Sequence, residues 1–94
     1  MPSYLVETYL GRDQTSERAA RERRVRSAAK ELTQGTRRVS FDRSIHIPED
    51  ETCFYVFDAS SARDAADAAQ RAGLDPIRVV EAVSSRKEER CNRR

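Results

Sequence analysis

The sequence predicts an α+β domain in the order strand, helix, strand, strand, helix, strand, and three observations predict it. Two stretches with helical spacing are each flanked by β-branched and aromatic runs. Glycines punctuate the first strand and both helices, and the two halves repeat one strand-helix-strand plan. At 94 residues, with 37% hydrophobic and 36% charged side chains, the chain has enough apolar surface for one core and too little length for two.

Ser3 to Leu10 (SYLVETYL), ended by Gly11, has the composition and punctuation of a strand. Asp13, Thr15 and Ser16 are candidate N-caps for a helix whose Ala19, Ala20, Val25, Ala28, Ala29 and Leu32 recur at three- and four-residue intervals until Gly35. Its charged side, with Glu17 four residues before Arg21 and Glu22 four before Arg26, reads as a solvated face. In Arg37 to Ile47, alternation sends Val39, Phe41, Arg43, Ile45 and Ile47 one way and Ser40, Asp42, Ser44 and His46 the other. Pro48 to Glu51 is turn chemistry, and Thr52 to Ala59 is the most apolar run, so these two strands form an antiparallel hairpin with the later one central. Ser60 or Ser61 caps a helix in which Ala62, Ala65, Ala66, Ala69 and Ala72 repeat, and Gly73 stops it. Ile77 to Ser84 is the last strand.

This plan is the ferredoxin-like arrangement, a four-stranded antiparallel sheet of order 4-1-3-2 with two helices on one face. Residues 1–85 make the domain, and residues 86–94 are expected to be a disordered charged tail. Bulky apolar residues on both faces of the first and third strands leave the helix-free face in need of cover, which a second copy of the chain supplies most simply. A homodimer packed through the open sheet face is therefore expected.

The net charge of +2 divides into +3 from Arg86 to Arg94 and −1 from the preceding 85 residues. A near-neutral body argues against nucleic acid as a partner. Thr52 to Phe57 also lacks the basic-glycine opening of an RNA recognition motif. No apolar run approaches the roughly 20 residues of a membrane span, and the N-terminus lacks the features of a secretion signal. A cytoplasmic protein with Cys53 and Cys91 both reduced is expected.

Glu7 and Glu81 stand mid-strand in the first and last strands, which the predicted order makes neighbours. Two carboxylates close together on a covered face require a cation, a shared proton or a strong donor. Arg43, Arg78, a metal ion and the phenols of Tyr9 and Tyr55 are the candidates. His46 is the only histidine, and alternation puts Asp42 on its face, so His46, Asp42, Glu7 and Glu81 are the candidate metal ligands. Glu49, Asp50 and Glu51 lie nearby in sequence. Cys53, opening an apolar strand, reads as a small core hydrophobe. No GxSxG, Walker, HExxH or dinucleotide-binding glycine pattern occurs.

The segments Tyr4–Leu10, Pro48–Phe54, Phe57–Ser60, Arg71–Leu74 and Val80–Val83 resemble a bacterial family of ferredoxin-like domains that includes actinobacterial nickel-binding proteins. The resemblance spans nearly the whole chain except the tail. It implies a small cytoplasmic homodimer and a divalent transition metal such as nickel as ligand. It transfers no ligand set to His46, Asp42, Glu7 or Glu81, which stand as candidates on their own chemistry. Two functions follow as expectations. One is a dimeric ligand-binding protein. The other is a small dimeric α+β barrel enzyme in which Glu7 or Glu81 acts as acid or base on a small organic substrate, oriented by Tyr9, Tyr55 or Arg43.

Overall fold

A computed structural model describes residues 1–83, so the expected tail lies outside the described residues. Strands β1 (Ser3–Tyr9), β2 (Val39–Ile47), β3 (Thr52–Ala59) and β4 (Arg78–Ala82) form one antiparallel sheet. Its order is β2-β3-β1-β4. Helices α1 (Arg18–Gln34) and α2 (Ala62–Arg71) pack on one face. The fold is ferredoxin-like, as the sequence predicts.

The helix side of the sheet is set by alternation. Tyr4, Val6 and Thr8 of β1 stand opposite Phe57, Tyr55 and Cys53 of β3, and all six are buried. Val25, Ala28, Ala29 and Leu32 of α1 close over them, as do Ala65, Ala68, Ala69 and Ala72 from α2 and its C-terminal end. Phe41 of β2 completes the core, edge-on to Phe57 with ring centroids 5.6 Å apart.

Entry to α1 differs from the sequence expectation. Arg12–Glu17 forms a 3-10 turn that runs directly into the helix, and Glu17 occupies the cap position without a side-chain cap bond. The Gln14 side chain instead folds back to accept from the Gly11 N–H at 3.3 Å. Helix α2 starts as predicted, with Ser61 Oγ accepting from the Asp64 N–H at 3.2 Å. It ends in a Schellman arrangement. Gly73 N–H donates to Gln70 O at 2.9 Å and Leu74 N–H to Ala69 O at 3.0 Å, with Leu74 buried in the core.

One irregularity reorganises β2. Phe41 pairs with Phe57 and Arg43 with the next residue, Val56, so Asp42 is an extra residue in the strand. Val39 and Phe41 face the helices, but beyond the bulge Ser44 and His46 do, while Arg43, Ile45 and Ile47 face the open side. The expected grouping of Val39 and Phe41 with Arg43, Ile45 and Ile47 is corrected accordingly. Uninterrupted alternation would have driven the Arg43 guanidinium under the helices, a large desolvation cost that one extra residue removes.

Gly73 has φ +83°, and a Cβ there would meet nothing within 4 Å. Gly73→Ala is therefore expected to lose about 1–2 kcal/mol, from backbone conformation alone. Urea titration followed by circular dichroism measures it; an unchanged midpoint would remove this account of the helix stop.

Candidate functional site

The open face reads as four cross-strand rows. From the β2 edge inward they are Ile47, Thr52 and Tyr9; Ile45, Phe54, Glu7 and Arg78; Arg43, Val56, Leu5 and Val80; and Ser40, Asp58, Ser3 and Ala82. The middle rows hold most of the apolar area. Ile45 and Ile47 are 42% and 37% exposed, while Leu5, Phe54 and Val80 are partly buried by their neighbours. Charged pairs stand on both sides of this strip. At the β2 edge Arg43 Nη1 lies 2.9 Å from Asp42 Oδ2, and toward β4 Arg78 Nε lies 3.5 Å from Glu7 Oε1.

The predicted carboxylate pair does not form. Glu7 pairs in register with Arg78 on the open side, whereas Glu81 pairs with Tyr4 and so lies on the helix side, exposed at the sheet edge. The expected proximity of Glu81 to Glu7 requires both on the open face, where a carboxylate avoids the cost of burial beneath the helices. On an edge strand the helix side is itself wet, so that cost is absent. Tyr55 is likewise on the helix side, fully buried, leaving Glu7, Tyr9 and Arg43 as the enzyme candidates on the open face.

The four candidate metal ligands are also dispersed. His46 faces the helices, Asp42 sits at the bulge with Arg43, Glu7 holds Arg78, and Glu81 is on the far edge strand. Among the described residues, no three His, Cys, Asp or Glu side chains gather in a way that could hold a metal ion. The bulge separates Asp42 from His46 and sets His46 directly across from Cys53 instead.

That juxtaposition creates a polar cluster under the start of α1, which the sequence reading missed. Cys53 and Tyr55 are fully buried, and Thr8 Oγ1 donates to Cys53 O at 2.8 Å. Ser44 hydrogen-bonds Glu22, which also reaches Arg18 at 4.0 Å. The Tyr55 hydroxyl stands beside the Cys53 thiol without a hydrogen bond of ordinary geometry, and His46 Nε2 is buried without a partner among the described residues. Burial pushes the Cys53 thiol above its ordinary value, only partly offset by the Tyr55 hydroxyl and by Arg18 and Arg21. A protonated thiol is a poor nucleophile, so adjacency to a histidine does not make Cys53 an attacking group.

A second polar knot ties the hairpin to the β1–α1 connection. Glu51, in the left-handed region at φ +50°, accepts from the Tyr9 hydroxyl at 3.1 Å and the Arg12 N–H at 3.0 Å. Its own carbonyl accepts from the Leu10 N–H at 2.9 Å. The Arg12 N–H and the Tyr9 hydroxyl hold the Glu51 carboxyl below its ordinary range, and the same bond raises Tyr9. Both groups have structural work, so Tyr9 is not a free phenol poised over Glu7.

No protein-family model and no curated protein matches the chain. Among solved structures, SCO4226 from Streptomyces coelicolor A3(2) is similar, with a TM-score of 0.73 at 14% identity over 87% of this chain and 98% of that one. This likeness shows the fold. No helix among the described residues is long and apolar enough to cross a membrane.

Burial raises the Tyr55 hydroxyl, and Cys53 adds to the rise. Both Cys53 and Tyr55 are neutral when protonated, so the folded chain retains protons that the unfolded chain releases. Their contribution to stability is complete below about pH 8.5, the unfolded thiol value, and declines as pH rises above it. The urea midpoint is expected to fall between pH 7 and pH 10, with the slope flattened in Cys53→Ala. Tyr55→Phe removes a hydroxyl that lacks a good partner, and is expected to leave stability unchanged or raise it by up to about 1 kcal/mol. A clear loss in Tyr55→Phe would show that the hydroxyl is well bonded.

Proposed function

We propose that this chain is a homodimeric binding protein that self-associates through its open sheet face. The observation that carries this reading is the apolar strip of Ile45, Phe54, Val56, Leu5 and Val80 on the side without helices, flanked by the Asp42–Arg43 and Glu7–Arg78 pairs. An apolar centre with a charged rim is the usual anatomy of a protein interface. A two-fold arrangement lets the strip cover itself, burying the same residues on both copies.

A binding role accounts for the polar residues better than catalysis does. Glu7 is engaged by Arg78, Tyr9 by Glu51, and Arg43 by Asp42, so each enzyme candidate on the open face already has a partner. A divalent metal such as nickel does not fit the open face. The donors there are carboxylate and hydroxyl oxygens, whereas the His46 imidazole, the ligand type suited to nickel, is on the helix side. The proposal therefore carries no metal.

Ile45 is exposed on an edge strand, so Ile45→Asp leaves the core intact. Sedimentation equilibrium at tens of micromolar is expected to give twice the chain mass for the natural sequence and a single chain mass for Ile45→Asp, with unchanged circular dichroism. A natural sequence that sediments as a monomer, or a variant that stays dimeric, would defeat the proposal.

A further inference from the structure

A groove of about 690 Å³ lies between α1 and the first half of β2, on the opposite side of the sheet from the apolar strip. Its floor is apolar and fixed. Ala29 is 3% exposed, Val39 3% and Phe41 8%, so these side chains are held by the core and the groove is shaped before anything enters it. Its rim is cationic. Arg26, Lys30 and Arg38 all line it, and no acidic side chain does.

Arg26 and Lys30 are one helical turn apart on α1, and Arg38, the residue before β2, also lines the groove. Arg26 lies over the Phe41 ring with its guanidinium carbon 4.9 Å from the centroid. Stacking uses the ring-facing surface of the guanidinium and leaves its N–H edge available to an acceptor. Among the described residues, none of the three cations makes an ion pair, although Arg18, Arg21, Arg37, Arg43 and Arg78 all do. An apolar floor with three cations gathered at its rim is complementary to an amphiphile that buries a hydrocarbon part and presents an anion at the surface.

We propose that the groove between α1 and β2 binds a small organic anion with an apolar tail, of the monocarboxylate class. The tail lies on Ala29, Val39 and Phe41, and the carboxylate is held by Arg26, Lys30 and Arg38. This inference gives the proposed binding role a ligand class. The groove and the open face are on opposite sides of the sheet, so failure of one is distinguishable from failure of the other.

The test is a pair of probes of equal chain length and opposite charge, decanoate and decylamine, titrated below micelle formation into the full chain. Binding is followed by calorimetry, and the site by amide shifts in proton–nitrogen NMR spectra. Decanoate is expected to bind at least about tenfold more tightly than decylamine and to shift the amides of Ala29, Val39 and Phe41. Replacing the rim together, Arg26→Gln with Lys30→Gln and Arg38→Gln, is expected to weaken decanoate by about tenfold or more, since charge-assisted bonds are lost while the floor remains. All three positions are exposed, and circular dichroism checks that the fold is retained. Equal affinity for the two probes, shifts confined to the open face, or no decanoate binding at millimolar concentration would overturn the proposal. In the Ile45→Asp variant, decanoate binding should persist even when dimerisation is lost.

Discussion

The single extra residue at Asp42 decides what each face of this sheet can do. By reversing the phase of β2 it removes Ile45 and Ile47 from the core and sets them beside Phe54 on the open side, and it turns Ser44 and His46 inward. The apolar strip and the polar cluster beneath α1 are two results of one displacement. A bulge is tolerated here because β2 is an edge strand, where one unpaired residue disturbs a ladder on only one side.

The architecture was legible because its signals are local and repeated. Alternation, helical spacing and terminal glycines each specify one element, and two copies of the same plan leave few ways to order four strands. The phase change in β2 was not legible in the same way, because Val39, Phe41, Ile45 and Ile47 all carry odd numbers and read as one continuous face. Arg43 was the available sign. A guanidinium in the core phase, flanked by aspartate and serine, is an energetic conflict that a real strand resolves by slipping. The placement of Glu81 failed for a different reason. Register to β1 assigns the face, but whether that face is wet depends on how far the helix layer extends, and no local pattern encodes that distance.

The site candidates show the same division. Residue chemistry identified Glu7, Tyr9 and Arg43 as candidate groups, but not that each is already committed to a neighbour. The Cys53 and His46 pairing was hidden by the bulge. The cationic groove was hidden because Arg26, Lys30 and Arg38 belong to two elements, and Arg26 and Lys30 sit in a helix whose charges otherwise read as a solvated face. What distinguishes them is that they gather at the rim of one apolar floor with no acidic residue beside them, a property of three-dimensional neighbours.

The two rims of the sheet constrain how copies of this molecule can meet. Strand β4 is only five residues long and carries Arg78 and Glu81 exposed, while β2 is interrupted by the bulge with Asp42 and Arg43 beside it. Neither margin offers the long, flat row of free amides and carbonyls on which another chain could extend the ladder. Growth into continuous ribbons is thus disfavoured at both ends. In the proposed dimer, contact between copies is left to the broad surface, where pairing ends after two partners and the assembly stays finite.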